Sequence, residues 1–224
     1  MADTDYQKDK DGREIALEAR AAEEDRLFSP SAARNREAIR EVFLQHMPPE
    51  GLIVEIGSGT GEHAVEILKA APDLIWQPSD PDETSRRSVN GWARHEALAN
   101  LRPALNLDVT QAGWWREIER PIAGIVSINM IHIAPFAAAE GLIAGAGAKL
   151  ASGDKLFLYG PFRRNGHTAP SNEDFDQSLK SRHPSWGVRD LDLEIIPLAD
   201  RHNLSLETMV EMPANNLSVM FTRR

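Results

Sequence analysis

The chain has 224 residues, 42% apolar and 26% charged, with no cysteine and a formal net charge of −9. That length suits one domain, and the lack of cysteine excludes disulfide scaffolds, thiol nucleophiles and cysteine-type zinc sites together. No apolar run approaches the ~20 residues of a membrane span and the charged N-terminus has no apolar signal core, so the expected address is the cytoplasm.

The first 26 residues hold nine acids and five bases. Residues 1–13 have little to bury and are expected to be mobile, part of a charged extension (1–25) ahead of one domain over 26–224. Glu14 to Ala22 has helical potential, but only Ile15 and Leu17 are large and apolar, so a solvated helix is predicted. Ser29-Pro30-Ser31 is a plausible helix start, followed by Ile39, Val42 and Phe43 at helical spacing and stopped by Pro48-Pro49. Leu52 to Ile56 reads as a buried strand, Glu62 to Ala70 as a helix, Leu74 to Trp76 as a second strand and Ser85 to Ala99 as a helix. Leu105 to Val109 is predicted as a third, shorter strand and Ala123 to Ile128 as a fourth. A small-residue helix over Phe136 to Leu150 and a fifth strand over Lys155 to Tyr159 follow. Ser171 to Asp174 resembles a helix N-cap before Phe175 to Arg182, and Arg189 to Arg201 reads as a helix shortened by Pro197. Leu204 to Met212 and Leu217 to Thr222 alternate in polarity on either side of Pro213-Ala214-Asn215-Asn216, the pattern of an antiparallel hairpin. Strands alternating with helices call for a doubly wound, mostly parallel α/β sheet with an antiparallel C-terminal edge.

The chemistry concentrates at Val54-Glu55-Ile56-Gly57-Ser58-Gly59-Thr60-Gly61-Glu62. A buried strand runs into three alternate glycines and then a helix. Glycine permits positive φ and close ligand approach, and the helix offers unpaired N–H groups. A dinucleotide fingerprint would need glycine where Glu62 stands, and a P-loop would need a lysine that is not there. Glu55 together with the G-x-G-x-G rhythm of Gly57, Gly59 and Gly61 resembles motif I of class I S-adenosylmethionine (SAM)-dependent methyltransferases, and Ser58 lies inside the same loop. Asp80 closes the second strand, where an acid can accept hydrogen bonds from ribose hydroxyls or cap the next helix. Asp108 closes the third, where methyltransferases often hold the adenine amino group, although Asp-Val-Thr is also ordinary turn chemistry. Asn129 and His132, at the exit of the fourth strand, are candidates for positioning and for general base. His132 could equally line the pocket without taking a proton. His63 has both a cofactor-contact and a helix-surface reading. No His-x-x-x-His or Glu-x-x-His spacing occurs, so no metal site is predicted.

Further segments extend the likeness: Arg26 to Arg36, Asn129 to Pro135, Tyr159-Gly160-Pro161-Phe162 and Asn215-Asn216-Leu217. Together they resemble the methyltransferase-like protein 26 family over roughly residues 26–224. The resemblance implies a Rossmann-like class I fold with a seven-stranded sheet, and SAM held by Glu55, Gly57, Gly59, Gly61 and Asp80. It also implies that Arg34 and Asn35 lie on an N-terminal helix over the pocket and that Tyr159 walls the acceptor side. Residues 163–188 read as a substrate-side lid. The segment Asn129-Met130-Ile131-His132 is not the Asn/Asp-Pro-Pro-aromatic of amino-methyltransferases acting on nucleic acids, and cytosine C5 enzymes need a cysteine. The acidic balance and lack of a basic tail favour a small-molecule acceptor over nucleic acid and leave a protein acceptor open. The expected activity is in-line methyl transfer from SAM to an oxygen or nitrogen. Its rivals are a non-catalytic module binding SAM or S-adenosylhomocysteine, and a nicotinamide-dependent oxidoreductase. Against the last, Tyr159 is followed four residues on by Arg163 where a short-chain dehydrogenase has lysine. The oligomeric state is not legible.

Overall fold

Apolar runs such as Leu52-Ile53-Val54 have no polar face, so they form strands covered on both sides. In the computed structural model, which describes residues 20–119 and 121–224, these runs become the centre of one sheet. The chain begins with a small antiparallel pair, β1 (Ala21–Glu23) and β2 (Arg26–Phe28). Helix α1 (Pro30–His46) follows, then β3 (Gly51–Ile56), α2 (Glu62–Ala70), β4 (Leu74–Ser79) and α3 (Glu83–His95). Next come β5 (Gly124–Ile128), α4 (Phe136–Lys149), β6 (Lys155–Arg163) and α5 (Pro170–Arg182). A two-residue β7 (Arg189–Asp190), α6 (Ile196–Arg201), β8 (Leu204–Met212) and β9 (Asn216–Arg223) complete it.

The strand order is β4-β3-β5-β6-β9-β8, with β7 beside the end of β6, making seven strands. The first four are mutually parallel, and β9 and β8 are antiparallel, as the alternating C-terminal segments predicted. The arrangement is a Rossmann-like, doubly wound sheet with an antiparallel edge. Because side chains alternate along a strand, Leu52, Val54 and Ile56 face α4 and α6 while Ile53 faces α1, α2 and the buried Trp76. The same alternation puts Phe157 and Tyr159 of β6 on the α1 side and Leu156 and Leu158 on the other.

Several expectations need correction. Leu105–Val109 is not a strand: it contributes one bridge, Ser79 to Leu105, beside a second at Trp76 and Leu101. The seventh strand is β7 instead, inside the stretch expected to be helical from Arg189. There Asp190 accepts from the amides of Asp192 and Leu193, so the helical turns begin after it. Helix α5 starts at Pro170 and not after the Ser171 to Asp174 cap, with Ala169 at the cap position. The mobility expected for 1–13, and the helix expected from Glu14 as far as residue 19, lie outside the described residues. Its end, Ala21 and Ala22, is strand, drawn away from helix because α3 captures the hairpin: Leu27 N–H donates to Ser88 Oγ and Trp92 Nε1–H to the Leu27 carbonyl. No helix among the described residues is long and apolar enough to cross a membrane.

Candidate functional site

In an open parallel sheet the ligand crevice lies beyond the carboxyl ends of the strands. Here the ends of β3, β4, β5 and β6 open into one cleft of about 1740 Å³, which also receives residues of α1, α5 and the β8–β9 turn. Ligand pockets commonly run to about 300–1000 Å³, so this cleft has room for two molecules side by side. The four sequence segments that carried the family likeness all contribute to its lining.

The glycine loop forms its floor. Gly57 and Ser58 donate their amides to the Ser79 carbonyl, and Ser58 Oγ accepts from the Ser79 amide, which locks the loop to β4. A Cβ at Gly57 would lie 2.7 Å from Met130 Cγ, and one at Gly61 would lie 3.0 Å from the Val89 Cα. At Gly59 (φ +56°) it would meet nothing nearer than the tip of Arg20 at 3.8 Å. Gly57 and Gly61 are therefore small because protein packs on them, whereas Gly59 leaves its surface open to the cleft. Gly61, expected at the cofactor, is not part of the lining: it is buried between α2 and α3.

Asp80 sits at the end of β4 with Oδ2 accepting from the Gly59 amide at 3.0 Å and Oδ1 from the Asp82 amide at 2.9 Å. The cap of α3 is Asp82, which accepts from Ser85 N–H, so Asp80 is not spent on that helix. Burial pushes the Asp80 carboxyl above its usual range, opposed by these two amides. Beneath it Glu55 is 1% exposed and accepts from Trp76 Nε1–H at 3.0 Å. Burial raises its pKa to about 7, opposed by the Trp76 hydrogen bond and the nearby Ser58 side chain and helped by the Asp80 charge. Asp108 lines the cleft from the connection after α3, where its Oδ1 accepts from both the amide and the hydroxyl of Thr110. The turn chemistry anticipated for it is thus present together with its place in the cleft.

Helix α1 covers the opening. Its Asn35 amide oxygen can only accept, so the 3.0 Å contact to His63 Nε2 puts the proton on that nitrogen. That contact joins α1 to α2 at the cleft. Burial, with the Arg36 charge, lowers the pKa of His63 to about 4, and burial raises that of Tyr159. Arg34 lines the cleft from the same helix. What sequence reasoning missed is Glu62, noted only as a non-glycine. It is 3% exposed, accepts from the Ser29 amide and the Thr60 hydroxyl, and faces Arg36 at 3.5 Å, so it fastens α1 to the loop. An acid at the first position of a helix was the available signal. Arg20 was also missed, and nothing in its charged surroundings marks it out.

At the exit of β5, Asn129 adopts φ 55° and donates its amide to the Tyr159 carbonyl at 2.8 Å. His132 is 2% exposed, edge-on to Phe175 with centroids 5.8 Å apart. Its Nδ1 is enclosed with no hydrogen-bond partner among the described residues, and a Cβ at Gly160 would come within 3.1 Å of it. Burial, reinforced by the Arg189 charge, lowers its pKa to about 3, so the ring is neutral. Arg189 holds the surrounding loop by donating to the carbonyls of Ile131, Ala134 and Ser185. The stretch read as a lid closes this side: α5 is tied to the β8–β9 turn by Asn172 Nδ2–H to the Asn215 carbonyl and Asn215 Nδ2–H to Ser171 Oγ.

The family described as "Protein of unknown function (DUF938)" matches residues 26–223. Among solved structures, the chain is similar to an O-methyltransferase family 2 protein from Planctomyces limnophilus in complex with apigenin, at TM-score 0.71 and 15% identity over 87% of this chain and 60% of that one. It is similar to the pyocyanin biosynthetic protein PhzM at TM-score 0.67 and 16% identity, over 87% of this chain and 59% of that one. It is also similar to human N-acetylserotonin methyltransferase in complex with SAM, at TM-score 0.68 and 10% identity, over 86% and 52% of the two chains. At such identities the likeness is one of fold, and the chain spans between half and three fifths of these proteins' length.

Proposed function

The chain belongs to the DUF938 family of proteins of unknown function, and we propose that it is a SAM-dependent methyltransferase acting on an oxygen or nitrogen of a small molecule. The observation that carries this reading is the open face of Gly59 with Asp80 beside it and Glu55 below, all at the carboxyl ends of parallel strands. The residues fit the ligand. Acids at Glu55, Asp80 and Asp108 suit a cationic cofactor with a ribose and an amino group, and the absence of a Cβ at Gly59 leaves room for close backbone approach.

SAM supplies a methyl group already activated on a positively charged sulfur, so the protein's tasks are alignment, exclusion of water and disposal of one proton. In this reading Asp80 and Glu55 orient the cofactor, Asn129 positions the reacting edge, and Arg34, Asn35 and Tyr159 bound the acceptor. With Nδ1 enclosed against Gly160, Nε2 is the nitrogen left for the acceptor, and it can take a proton only in the tautomer that carries hydrogen on Nδ1. A neutral imidazole that is a weak base suits late proton removal. An acceptor hydroxyl becomes far more acidic once its lone pair is committed to carbon, so Nε2 needs to take the proton only then.

Calorimetric titration with SAM, S-adenosylhomocysteine and NADH in parallel tests the reading. Saturable binding of the first two, weakened at least about tenfold in Asp80→Ala, is the expected result. Binding of NADH alone would overturn it in favour of an oxidoreductase, and cofactor binding with no product from any acceptor would leave a non-catalytic module. His132→Ala is expected to lower turnover by about a hundredfold while changing SAM affinity little. The reverse pattern would remove His132 from the chemistry.

A further inference from the structure

The cleft is chemically divided. Among the described residues, every carboxylate that lines it (Glu55, Asp80, Asp82 and Asp108) comes from the β3–β4 side or the connection after α3. The exits of β5 and β6, α5 with the loop after it, and the β8–β9 turn contribute none. Asp176 of α5 is 3% exposed and turned away, committed to Arg163, Lys180 and the Val188 amide. This far wall presents rings, set among the amides of Asn172 and Asn215 and the guanidinium of Arg182. His132 meets Phe175 edge to face, and His183 stacks on Trp186 with centroids 5.7 Å apart and planes at 26°. Phe175 and Trp186 pack together with Ile133, Leu179 and Val188 in a small cluster separate from the two main cores. Ser185 caps His183 Nδ1 through both its amide and its hydroxyl, which fixes that ring on the indole.

Rigid rings on one wall favour a flat partner, because stacking adds to the gain from burial and costs little side-chain entropy. Without a carboxylate on this wall, a cationic partner has only cation–π attraction to set against its lost hydration, and the Arg182 guanidinium on the same wall opposes it. We propose that the methyl acceptor is a flat, conjugated small molecule without a cationic group, seated against Phe175, His183 and Trp186 with its reacting edge toward His132. The proposal rests on the methyltransferase reading above, yet it concerns a different set of residues and is read out by binding alone.

The test is calorimetric titration of three probes of similar size into the full chain saturated with S-adenosylhomocysteine: 2-naphthol, its saturated counterpart decahydro-2-naphthol, and 2-naphthylmethylammonium. The expected order is 2-naphthol about tenfold tighter than either of the others. Trp186→Leu and Phe175→Leu should each weaken 2-naphthol by several-fold, with a smaller change for S-adenosylhomocysteine, and Trp186→Phe, which restores a ring, should recover most of the affinity. Melting curves of the variants check that they fold. Equal affinity for the flat and saturated alcohols, tighter binding of the ammonium, or variants that leave 2-naphthol binding unchanged would each overturn the proposal. Failure of S-adenosylhomocysteine itself to bind would instead defeat the methyltransferase reading, and the naphthol comparison would still be made on the protein alone.

Discussion

At Glu55 a carboxyl that is 1% exposed accepts a hydrogen bond from Trp76, and burial still carries its pKa up to about 7. In the unfolded chain the same group ionises near 4.5. The stabilisation of its neutral folded form is therefore complete below that pH and is lost as the pH rises through about 7. The expected outcome is that the wild-type protein loses stability relative to Glu55→Gln between about pH 5 and 8, by up to about 3 kcal/mol. Denaturant melts of the pair at several pH values check it, and a constant difference would mean that Glu55 is already charged in the fold. This residue was legible as a motif acid from its place before Gly57, but its protonation was not, because that depends on Trp76 and Asp80 arriving from the neighbouring strand.

Helix α4 was read from its small residues, and the structure gives them a use. A Cβ at Gly141 would stand 1.9 Å from the Val109 carbonyl oxygen, and one at Gly145 would be 2.2 Å from Trp114 Cζ2. The helix lies so close to the preceding connection that Trp114 Nε1–H donates to the Gly141 carbonyl at 2.9 Å. In an exposed helix Gly→Ala gains about 1 kcal/mol. Here the overlap is with backbone, and overpacking of that kind costs about 1–3 kcal/mol or more. Gly141→Ala is therefore expected to lower stability by about 2 kcal/mol, read from urea unfolding midpoints. A gain in stability would mean that the Val109 connection yields freely. The same closeness accounts for the strand that failed to form at Leu105–Val109. Its backbone is shared between one bridge to β4 and contact with α4, so it cannot extend a ladder.

For the whole molecule the consequence of the fold is a single cleft whose walls come from segments far apart in sequence. A ligand that binds only this arrangement raises its stability by mass action. At a hundredfold excess over Kd that is about 2.7 kcal/mol, or roughly 5–10 °C in Tm for a chain of this size. S-adenosylhomocysteine is expected to produce such a shift in a thermal melt and NADH none, and the reverse would point to a dinucleotide site.

Much of this was decided by local sequence. Apolar runs, glycine spacing and the alternating C-terminal segments set the central strands, the main helices and the glycine turn after β3, though not the segments at Leu105–Val109 and Arg189–Asp190, because hydrophobic period and turn chemistry act over a few residues. Glu55, Gly57, Gly59 and Asp80, which line the cleft, are candidates supplied by that pattern together with the motif resemblance. Only the tertiary structure decided that Gly61 serves helix packing, that Glu62 fastens α1 over the loop, and that Asn35 joins α1 to His63 of α2. The same holds for the ring wall opposite the carboxylates. These are contacts between residues tens of positions apart, set by how helices cross and which strands neighbour one another, and no local propensity encodes them.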